Sequence, residues 1–399
     1  MKFDPQKFVE KQTKDIRKTL GGERALVAVS GGVDSTACAA LTHRAIGENL
    51  LCVMLDDAFM REGEPERVDQ LVSQQPLQLP IKILNVQERF LEALEGLRDA
   101  EEKRKAFRET FYDTLRETAE EEGCQFLVQG TIAADIVETT GGVKTQHNVL
   151  KQMGINTVER FGFQVIEPLV SIYKGQVRKV ARYLGIPSEI SERQPFPGPG
   201  LSVRVVGEIR ADKLEMLKRA TAITEEELAK DPPSQFFAAI VENVEKPLHS
   251  KLVGLSEMIG EFLDVLPDYV SVKVFQDRAT GMKGGQRLYG DILAIKVDGE
   301  NGRILKTSIE SLVGLQSEIV KENPLFARVL YLINETEKEQ AYSIVVRAVE
   351  TVDFLTASVA DVSWKILEKI AGRIFESCPT VSSVYYDVTP KPPATIEFE

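Results

Sequence analysis

Four short apolar runs in the first part of the chain alternate with helical patterns, and this alternation constrains the fold more than any other feature. The runs read ALVAVS, LLCVML, IKILNV and QFLVQG. Because each run is apolar nearly throughout, we expect strands that are buried on both faces, as in a parallel sheet covered by helices. The pattern predicts an α/β doubly wound parallel sheet, preceded by an amphipathic helix over residues 5–20.

Polar residues follow each predicted strand. The segments that come directly after or at the ends of the strands read SGGVDS, DDAFMREGE, NVQERF and QGTIAAD. Parallel strands bring their carboxyl ends to one edge of the sheet, and doubly wound proteins bind their ligands there. We therefore expect the functional site at this edge.

The segment SGGVDS, residues 30–35, has the character of a phosphate-binding loop without the lysine of the common GxxxxGK[ST] motif. Two glycines allow unusual backbone conformations, and a helix that begins near Asp34 points its free N–H groups outward. This arrangement suits a pyrophosphate group. The simpler alternative is a tight strand-to-helix turn with capping residues.

The chain has 399 residues, which is too long for one ordinary core and predicts at least two domains. The segment RQPFPGPGLSVRV is rich in proline and glycine, so we place the boundary there, between residues 1–200 and 201–399. The second part mixes helical patterns with alternating strands and predicts an α+β domain. A strand–helix–strand pattern that begins at DILAIKV recurs at YSIVVRAV, which indicates an internal duplication with an inserted copy over about 245–333. Chance similarity of two common patterns is the alternative.

The composition excludes several classes of function. Hydrophobic residues are 43% and charged residues 28%, as in ordinary globular proteins, and the formal charge of −12 argues against a broad nucleic-acid surface. The four cysteines have no metal-ligand spacing, which predicts free thiols in a reducing compartment. Neither a signal peptide nor a membrane span is apparent. We therefore expect a cytoplasmic protein with no nucleic-acid or membrane partner.

The motif SGGVDS resembles the PP-loop of the ATP pyrophosphatases, which cleave ATP between the α and β phosphates. Further segments occur in the same order as in GMP synthetase: QGTIAADIVET, EPLVSIYKGQVRKVARYLGIP, RQPFPGPGLSVRVVGEI and the terminal KPPATIE. The resemblance is to an ATP pyrophosphatase domain of adenine-nucleotide alpha-hydrolase-like fold, followed by a C-terminal dimerisation domain. It implies ATP-dependent amination of xanthosine 5′-monophosphate (XMP) to GMP through adenylyl-XMP, with release of AMP and pyrophosphate.

The resemblance also implies roles for individual residues. The ATP and pyrophosphate contacts would come from Ser30, Gly31, Gly32, Val33, Asp34, Ser35 and Gly130. The catalytic residues would be Asp34, Lys144, His147 and Lys174. A magnesium ion would be held near Asp135 and Glu138, and XMP would be bound by Asn148, Gln235, Lys391, Ile396 and Glu397. Lys144, His147 and Asn148 fall in an irregular segment, residues 139–160, that the family uses as a lid over the phosphates.

Departures from the family pattern leave alternatives open. Gln146 replaces the first of two adjacent histidines, and Ser383 stands where an arginine is common. There are therefore two competing hypotheses. The chain is another PP-loop ligase with an altered substrate, or it is a catalytically silent paralogue that binds nucleotide. No glutaminase segment is recognisable, so ammonia is either free or delivered by a separate glutaminase subunit. The duplicated module predicts either a homodimer or a monomer whose two copies pair internally.

Overall fold

The computed structural model describes residues 3–140, 157–247, 254–299, 302–337, 340–352 and 355–399. The chain divides into two compact units. The first comprises residues 1–94 and 105–199, and the second comprises residues 95–104 and 200–399. Among the described helices, none combines the length and apolar character needed to cross a membrane.

The first unit alternates strands and helices. Its strands are β1 (Arg24–Ala28), β2 (Leu50–Asp56), β3 (Ile81–Asn85), β4 (Cys124–Val128) and β5 (Gln164–Ile166). Its helices are α1 (Pro5–Leu20), α2 (Val33–Ile46), α3 (Glu64–Val72), α4 (Gln87–Leu94), α6 (Ala133–Thr140), α7 (Thr157–Phe161), α8 (Lys174–Leu184) and α9 (Ser188–Ser191), while α5 (Ala100–Glu122) begins in the second unit. The predicted first helix is thus confirmed as α1.

The five strands form one parallel sheet in the order β3-β2-β1-β4-β5. The doubly wound parallel sheet is therefore confirmed, and the strand order reverses at β1, which directly precedes the glycine loop. Burial of every strand on both faces was wrong for β3. This strand lies at the sheet edge, and Ile83 is 37% exposed, so the faces of β3 are only partly covered.

The second unit combines helices with one large sheet. Its strands are β6 (Gln235–Glu242), β7 (Val270–Lys283), β8 (Gln286–Val297), β9 (Phe326–Glu335), β10 (Tyr342–Glu350), β11 (Ser358–Val359) and β12 (Val381–Asp387). Its helices are α10 (Ala211–Leu228), α11 (Leu255–Leu263), α12 (Ile309–Glu322) and α13 (Trp364–Ser377). The predicted strands are present, whereas β6, whose run QFFAAIVE is buried throughout, was missed.

The sheet of the second unit closes on itself. Its order is β11-β10-β12-β9-β8-β7, and β6 pairs with the other side of β10. Residues 244–246 continue from β6 and pair with β7, since Lys246 N donates to Val274 O and Gln276 N donates to Val244 O, each at 2.8 Å. The apolar side chains inside the closed sheet surround Phe398, a buried residue of the C-terminal tail.

The two strand–helix–strand segments of the second unit have the same topology. In the first, β8 and β9 pair in parallel and are connected through α12. In the second, β10 and β12 pair in parallel and are connected through α13. The two pairs meet where β9 and β12 run antiparallel. Two copies of one module would share a topology, as these two segments do. The internal duplication itself stays a prediction.

All four cysteines are free and buried, so we expect none of them to react with Ellman's reagent in the native protein near neutral pH. Burial raises the pKa of Cys52 to about 12 and that of Cys378 to about 11. The pKa of Cys38 is raised well above its usual value by burial and by the nearby Asp34 and Glu167 carboxylates. Because the thiolate is the reactive form, labelling should appear only on addition of denaturant. Rapid labelling of the native protein would contradict this burial.

Candidate active site

The glycine loop lies between the end of β1 and the start of α2. The hydroxyl groups of Ser30 and Ser35 are 3.1 Å apart, and Ser35 Oγ accepts from the backbone N–H of Ser30 at 3.2 Å. Helix α2 begins at Val33, and no side chain caps its amino end within the described residues. The first N–H groups of a helix have no partner within the helix. The loop therefore presents N–H groups and two hydroxyls at the carboxyl edge of the sheet, which suits an anion.

Two glycines are required by the local geometry. Gly31 has a left-handed backbone with φ of 74°, and a methyl group there would lie only 2.7 Å from Val68 Cγ2. Gly130 follows β4, and a methyl group there would lie 3.1 Å from the backbone C of Asp34 and N of Ser35. The loop after β4 thus packs directly against the first turn of α2, and a side chain at Gly130 would push these two segments apart, whereas a side chain at Gly31 would clash with Val68 of α3.

An ion pair joins Asp34 to Lys174, the first residue of α8. Lys174 Nζ lies 2.5 Å from Asp34 Oδ2, and the two side chains are 37% and 24% exposed. The other oxygen of this carboxylate, Asp34 Oδ1, is buried and has no hydrogen-bond partner among the described atoms. The structure thus brings together two of the predicted catalytic residues beside the loop, with one carboxylate oxygen left for a further ligand.

The described residues contain no group of three or more His, Cys, Asp or Glu side chains arranged to hold a metal ion. Asp135 is buried in the first turn of α6, and its Oδ2 accepts from Ile132 N at 2.8 Å. The Glu138 side chain lies outside the described part. Magnesium is commonly held by one or two carboxylates together with substrate phosphates, and the orphaned Asp34 Oδ1 fits this donor set.

Three of the predicted site residues lie outside the described residues, namely Lys144, His147 and Asn148. Gln146, at which the sequence departs from the family pattern, lies in the same segment. Their roles stay predictions from the sequence.

The C-terminal tail carries three predicted XMP-binding residues, and buried arginines hold its backbone. Arg347 donates to the carbonyl oxygens of Ile396 at 2.8 Å, Thr395 at 2.9 Å and Thr389 at 3.0 Å. Lys391 makes a two-way backbone pair with Ala357, with hydrogen bonds of 2.8 and 3.0 Å. The tail is therefore a defined structural element rather than a loosely packed end.

The arginines of this tail support belong to a buried charge cluster at the interior of the closed sheet. Asp387 Oδ2 accepts from Arg347 at 2.7 Å and from Arg328 at 2.9 Å, and all three side chains are fully buried. Burial and the neighbouring guanidinium of Arg347 lower the pKa of Arg328 to about 9. One carboxylate therefore pairs with two guanidinium groups and compensates one of the two positive charges. The remaining N–H groups of Arg347 are free to donate to the tail carbonyls.

The remaining predicted residues occupy defined positions in the second unit. Glu397 forms a buried, bidentate pair with Arg204, with both contacts at 2.9 Å. Gln235 begins β6 and pairs with Val349 of β10. On its other side Val349 pairs with Val359, which lies two residues after Ala357, the backbone partner of Lys391 in the tail. Gln235 thus lies at the end of the sheet that the tail crosses. Ser383 is buried, and its hydroxyl is 2.8 Å from that of Ser343.

Sequence reasoning missed several residues that shape these sites. Among them are the charged residues Glu64, Lys103, Arg193, Arg204, Arg328, Arg347 and Asp387, which are buried except for Arg193, whose side chain is 22% exposed. A signal was present for three of them. Each of these three lies two positions along its strand from a core residue and so shares its inward face: Arg328 with Leu330, Arg347 with Val345, and Asp387 with Tyr385. A charge at a core position of a strand must be paired, so it indicates a buried network.

Family comparisons match both units. A family model described as PP-loop domain matches residues 5–188, and one described as GMP synthase C terminal domain matches residues 332–398. One subunit of a glutamine-hydrolyzing GMP synthase from Sulfurisphaera tokodaii is 44% identical over 399 residues and covers 100% of both chains. The protein of the same name from Methanopyrus kandleri is 39% identical, again over 100% of both chains. A solved NMN synthetase from Francisella tularensis is 19% identical, with a TM-score of 0.39 over 54% of this chain and 82% of that one.

Proposed function

The chain belongs to the family of these GMP synthase subunits, and from this we propose that it aminates XMP to GMP in an ATP-dependent reaction. The observation that carries the proposal is the SGGVDS loop at the amino end of α2, in a chain related to this family over its full length. The oxygen of a purine carbonyl is a poor leaving group. Attack of that oxygen on the α phosphate of ATP forms adenylyl-XMP and releases pyrophosphate, after which ammonia displaces AMP.

The loop residues serve the first step by binding the departing pyrophosphate. The N–H groups of residues 31–35 and the hydroxyls of Ser30 and Ser35 stabilise the negative charge that develops on it. Lys174 adds a cation, and Asp34 holds the Lys174 ammonium at the loop. Because Gly130 has no side chain, the loop after β4 can pack against the backbone of Asp34 and Ser35. A loop that holds the β and γ phosphates exposes the α phosphate as the electrophile.

Magnesium, when bound with ATP, neutralises phosphate charge and favours departure of pyrophosphate. Asp34 would hold it through the buried Oδ1, which has no hydrogen-bond partner among the described atoms. Asp135 and Glu138 complete the proposed set as predicted from the sequence. Lys144 and His147 stay proposed catalytic residues, and Asn148 a proposed XMP contact.

XMP binding is assigned to the tail and its surroundings. Lys391 supplies a cation that the nucleotide phosphate needs in a chain with a formal charge of −12. Gln235 supplies an amide, and Ile396 and Glu397 stand on tail backbone that Arg347 fixes. The Glu397 carboxylate contacts Arg204, so its contribution is proposed to come through this pair.

The nitrogen is proposed to arrive as ammonia, free in solution or from a separate glutaminase subunit. The relatives are each named as one subunit of a glutamine-hydrolyzing enzyme, and a subunit implies a second chain. The four cysteines of this chain are buried, and burial raises their pKa values, which makes them unsuitable as glutaminase nucleophiles. These free thiols also support the proposed cytoplasmic location.

Steady-state assays test the proposal directly. With XMP, ATP, magnesium and ammonium, the chain should form GMP, AMP and pyrophosphate in equal amounts. With glutamine in place of ammonium, the chain alone should form none. Absence of GMP and AMP at saturating ammonium would overturn the proposal, and adenylation of another purine monophosphate in preference to XMP would favour a different PP-loop ligase.

We propose that the two strand–helix–strand segments pair internally and that the chain is a monomer. The antiparallel contact of β9 with β12 joins the two parallel pairs inside one sheet, which leaves no need for a second chain to complete it. Light scattering coupled to size exclusion should give a mass near 44.4 kDa. A mass of twice this value across a dilution series would show a homodimer instead.

A further inference from the structure

Glu64, at the start of α3, lies against the phosphate-binding loop. Its carboxylate is only 5% exposed, and its Oε1 lies 3.1 Å from the position that a methyl group on Gly31 would occupy. Val68, one turn further along α3, closes the same space at 2.7 Å. The first turns of α3 therefore form a wall against the left-handed turn at Gly31.

Arg193 holds this carboxylate from a different part of the chain. Its guanidinium makes a bidentate contact with Glu64, with Nη1 on Oε1 and with Nη2 on Oε2 at 2.7 Å. Arg193 Nη1 also lies 3.9 Å from the methyl position on Gly31. Arg193 follows α9 and begins the proline-rich segment, which has a second attachment because the Arg61 guanidinium stacks on the Phe196 ring at 4.2 Å.

This ion pair differs from a second bidentate pair among the described residues of the first unit. Arg89 and Glu117 form a comparable two-point contact, but their side chains are 38% and 44% exposed. Exposed pairs contribute little, whereas a buried carboxylate is costly unless its partner is in place. The burial of Glu64 beside the loop thus makes its geometry depend on Arg193.

We infer that Glu64 and Arg193 are positioning residues for pyrophosphate binding. Arg193 fixes the Glu64 carboxylate, and Glu64 together with Val68 restricts the Gly31 turn. Glycine is the most flexible residue, so without this wall the loop N–H groups would sample orientations that do not face the phosphates. Preorganised donors cost no reorganisation when the anion binds. The inference rests on the proposed function, because it assigns pyrophosphate to this loop.

The test compares full-length variants for binding of inorganic pyrophosphate with magnesium by calorimetry, and for the KM values of ATP and XMP. R193M and E64Q should each weaken pyrophosphate binding and raise the KM for ATP by about 10- to 100-fold. The KM for XMP should stay within about twofold. R193K should recover only part of the loss, since an ammonium cannot make the bidentate contact. R89M, in the exposed pair, is the matched control and should behave as the wild type.

A variant that fails to fold should show a lower unfolding temperature and altered KM values for both ATP and XMP. A variant that loses only the positioning of the loop should show a raised KM for ATP alone. E64Q keeps the shape of the side chain, so it reports on the contact even where R193M fails to fold. The double variant should lose no more than the worse single variant, because both act through one contact. Wild-type pyrophosphate affinity in E64Q and a folded R193M would overturn the inference. Pyrophosphate binding needs no XMP, so a wild type that binds pyrophosphate without forming GMP would refute the proposed function alone.

Discussion

Replacing Asp387 with asparagine should lower the free energy of unfolding of the second unit by about 3–5 kcal/mol, the cost of breaking a buried ion pair by removing one partner. Asp387 is the carboxylate between Arg328 and Arg347, and all three side chains are fully buried. Without it, two buried guanidinium groups lose the carboxylate that pairs with both of them. Burial and the neighbouring Arg347 lower the pKa of Arg328 to about 9, the direction expected for a guanidinium that is removed from water beside another cation.

The same change should abolish binding of XMP while leaving pyrophosphate binding close to normal. Arg347 holds the tail carbonyls of Thr389, Thr395 and Ile396, so its displacement releases the tail that carries Lys391. The contacts of Asp387 described above are all within the second unit, whereas the glycine loop belongs to the first.

Thermal unfolding and calorimetry with each ligand measure these effects. E226Q removes one partner of the exposed Arg373 pair, in which the Glu226 side chain is 68% exposed, and should leave the free energy of unfolding close to that of the wild type. A D387N protein with wild-type stability would show that the charge cluster is not a structural requirement. If D387N retained wild-type affinity for XMP, the tail would not be part of the XMP-binding site.

Replacing Lys174 with methionine should lower kcat for pyrophosphate release by about 10²–10³-fold, as expected when one preorganised electrostatic contact to a developing charge is removed. Lys174 Nζ lies 2.5 Å from Asp34 Oδ2 at the loop, and α8 presents it from its first residue. Methionine keeps the length of the side chain and removes the charge, so the loop loses the cation that pairs with Asp34.

A continuous assay of pyrophosphate release, with ammonium and XMP at saturation, measures this effect. K179M is the matched control, since Lys179 lies on the same helix and is exposed. K174R should retain more activity than K174M because the positive charge remains. Equal rates for K174M and K179M would remove Lys174 from the catalytic residues.

Much of the first unit could be predicted because its signals are local. Each of the four predicted strands and the helix over residues 5–20 corresponds to a run of residues with a readable period. The SGGVDS loop could be placed at the sheet edge because strand direction alone brings it there. The exposure of β3 could not be read, since whether an apolar strand lies at the edge depends on the order of the strands.

The second unit was less predictable because its decisive contacts are long-range. β6 was missed, and the closure of the sheet depends on the pairing of residues 244–246 with β7. The duplicated topology could be suspected from the repeated pattern, but the antiparallel contact of β9 with β12 could not.

By itself, the sequence determined the doubly wound sheet, the glycine loop and the family motifs, since these follow from the period and order of neighbouring residues. Only the tertiary structure decided which partner each buried charge meets: Glu64 meets Arg193, Glu397 meets Arg204, and Asp387 meets Arg328 and Arg347. The physical reason is that the cost of a buried charge is offset only by a partner in contact with it. Contact between residues so far apart in the chain is set by the packing of the whole unit.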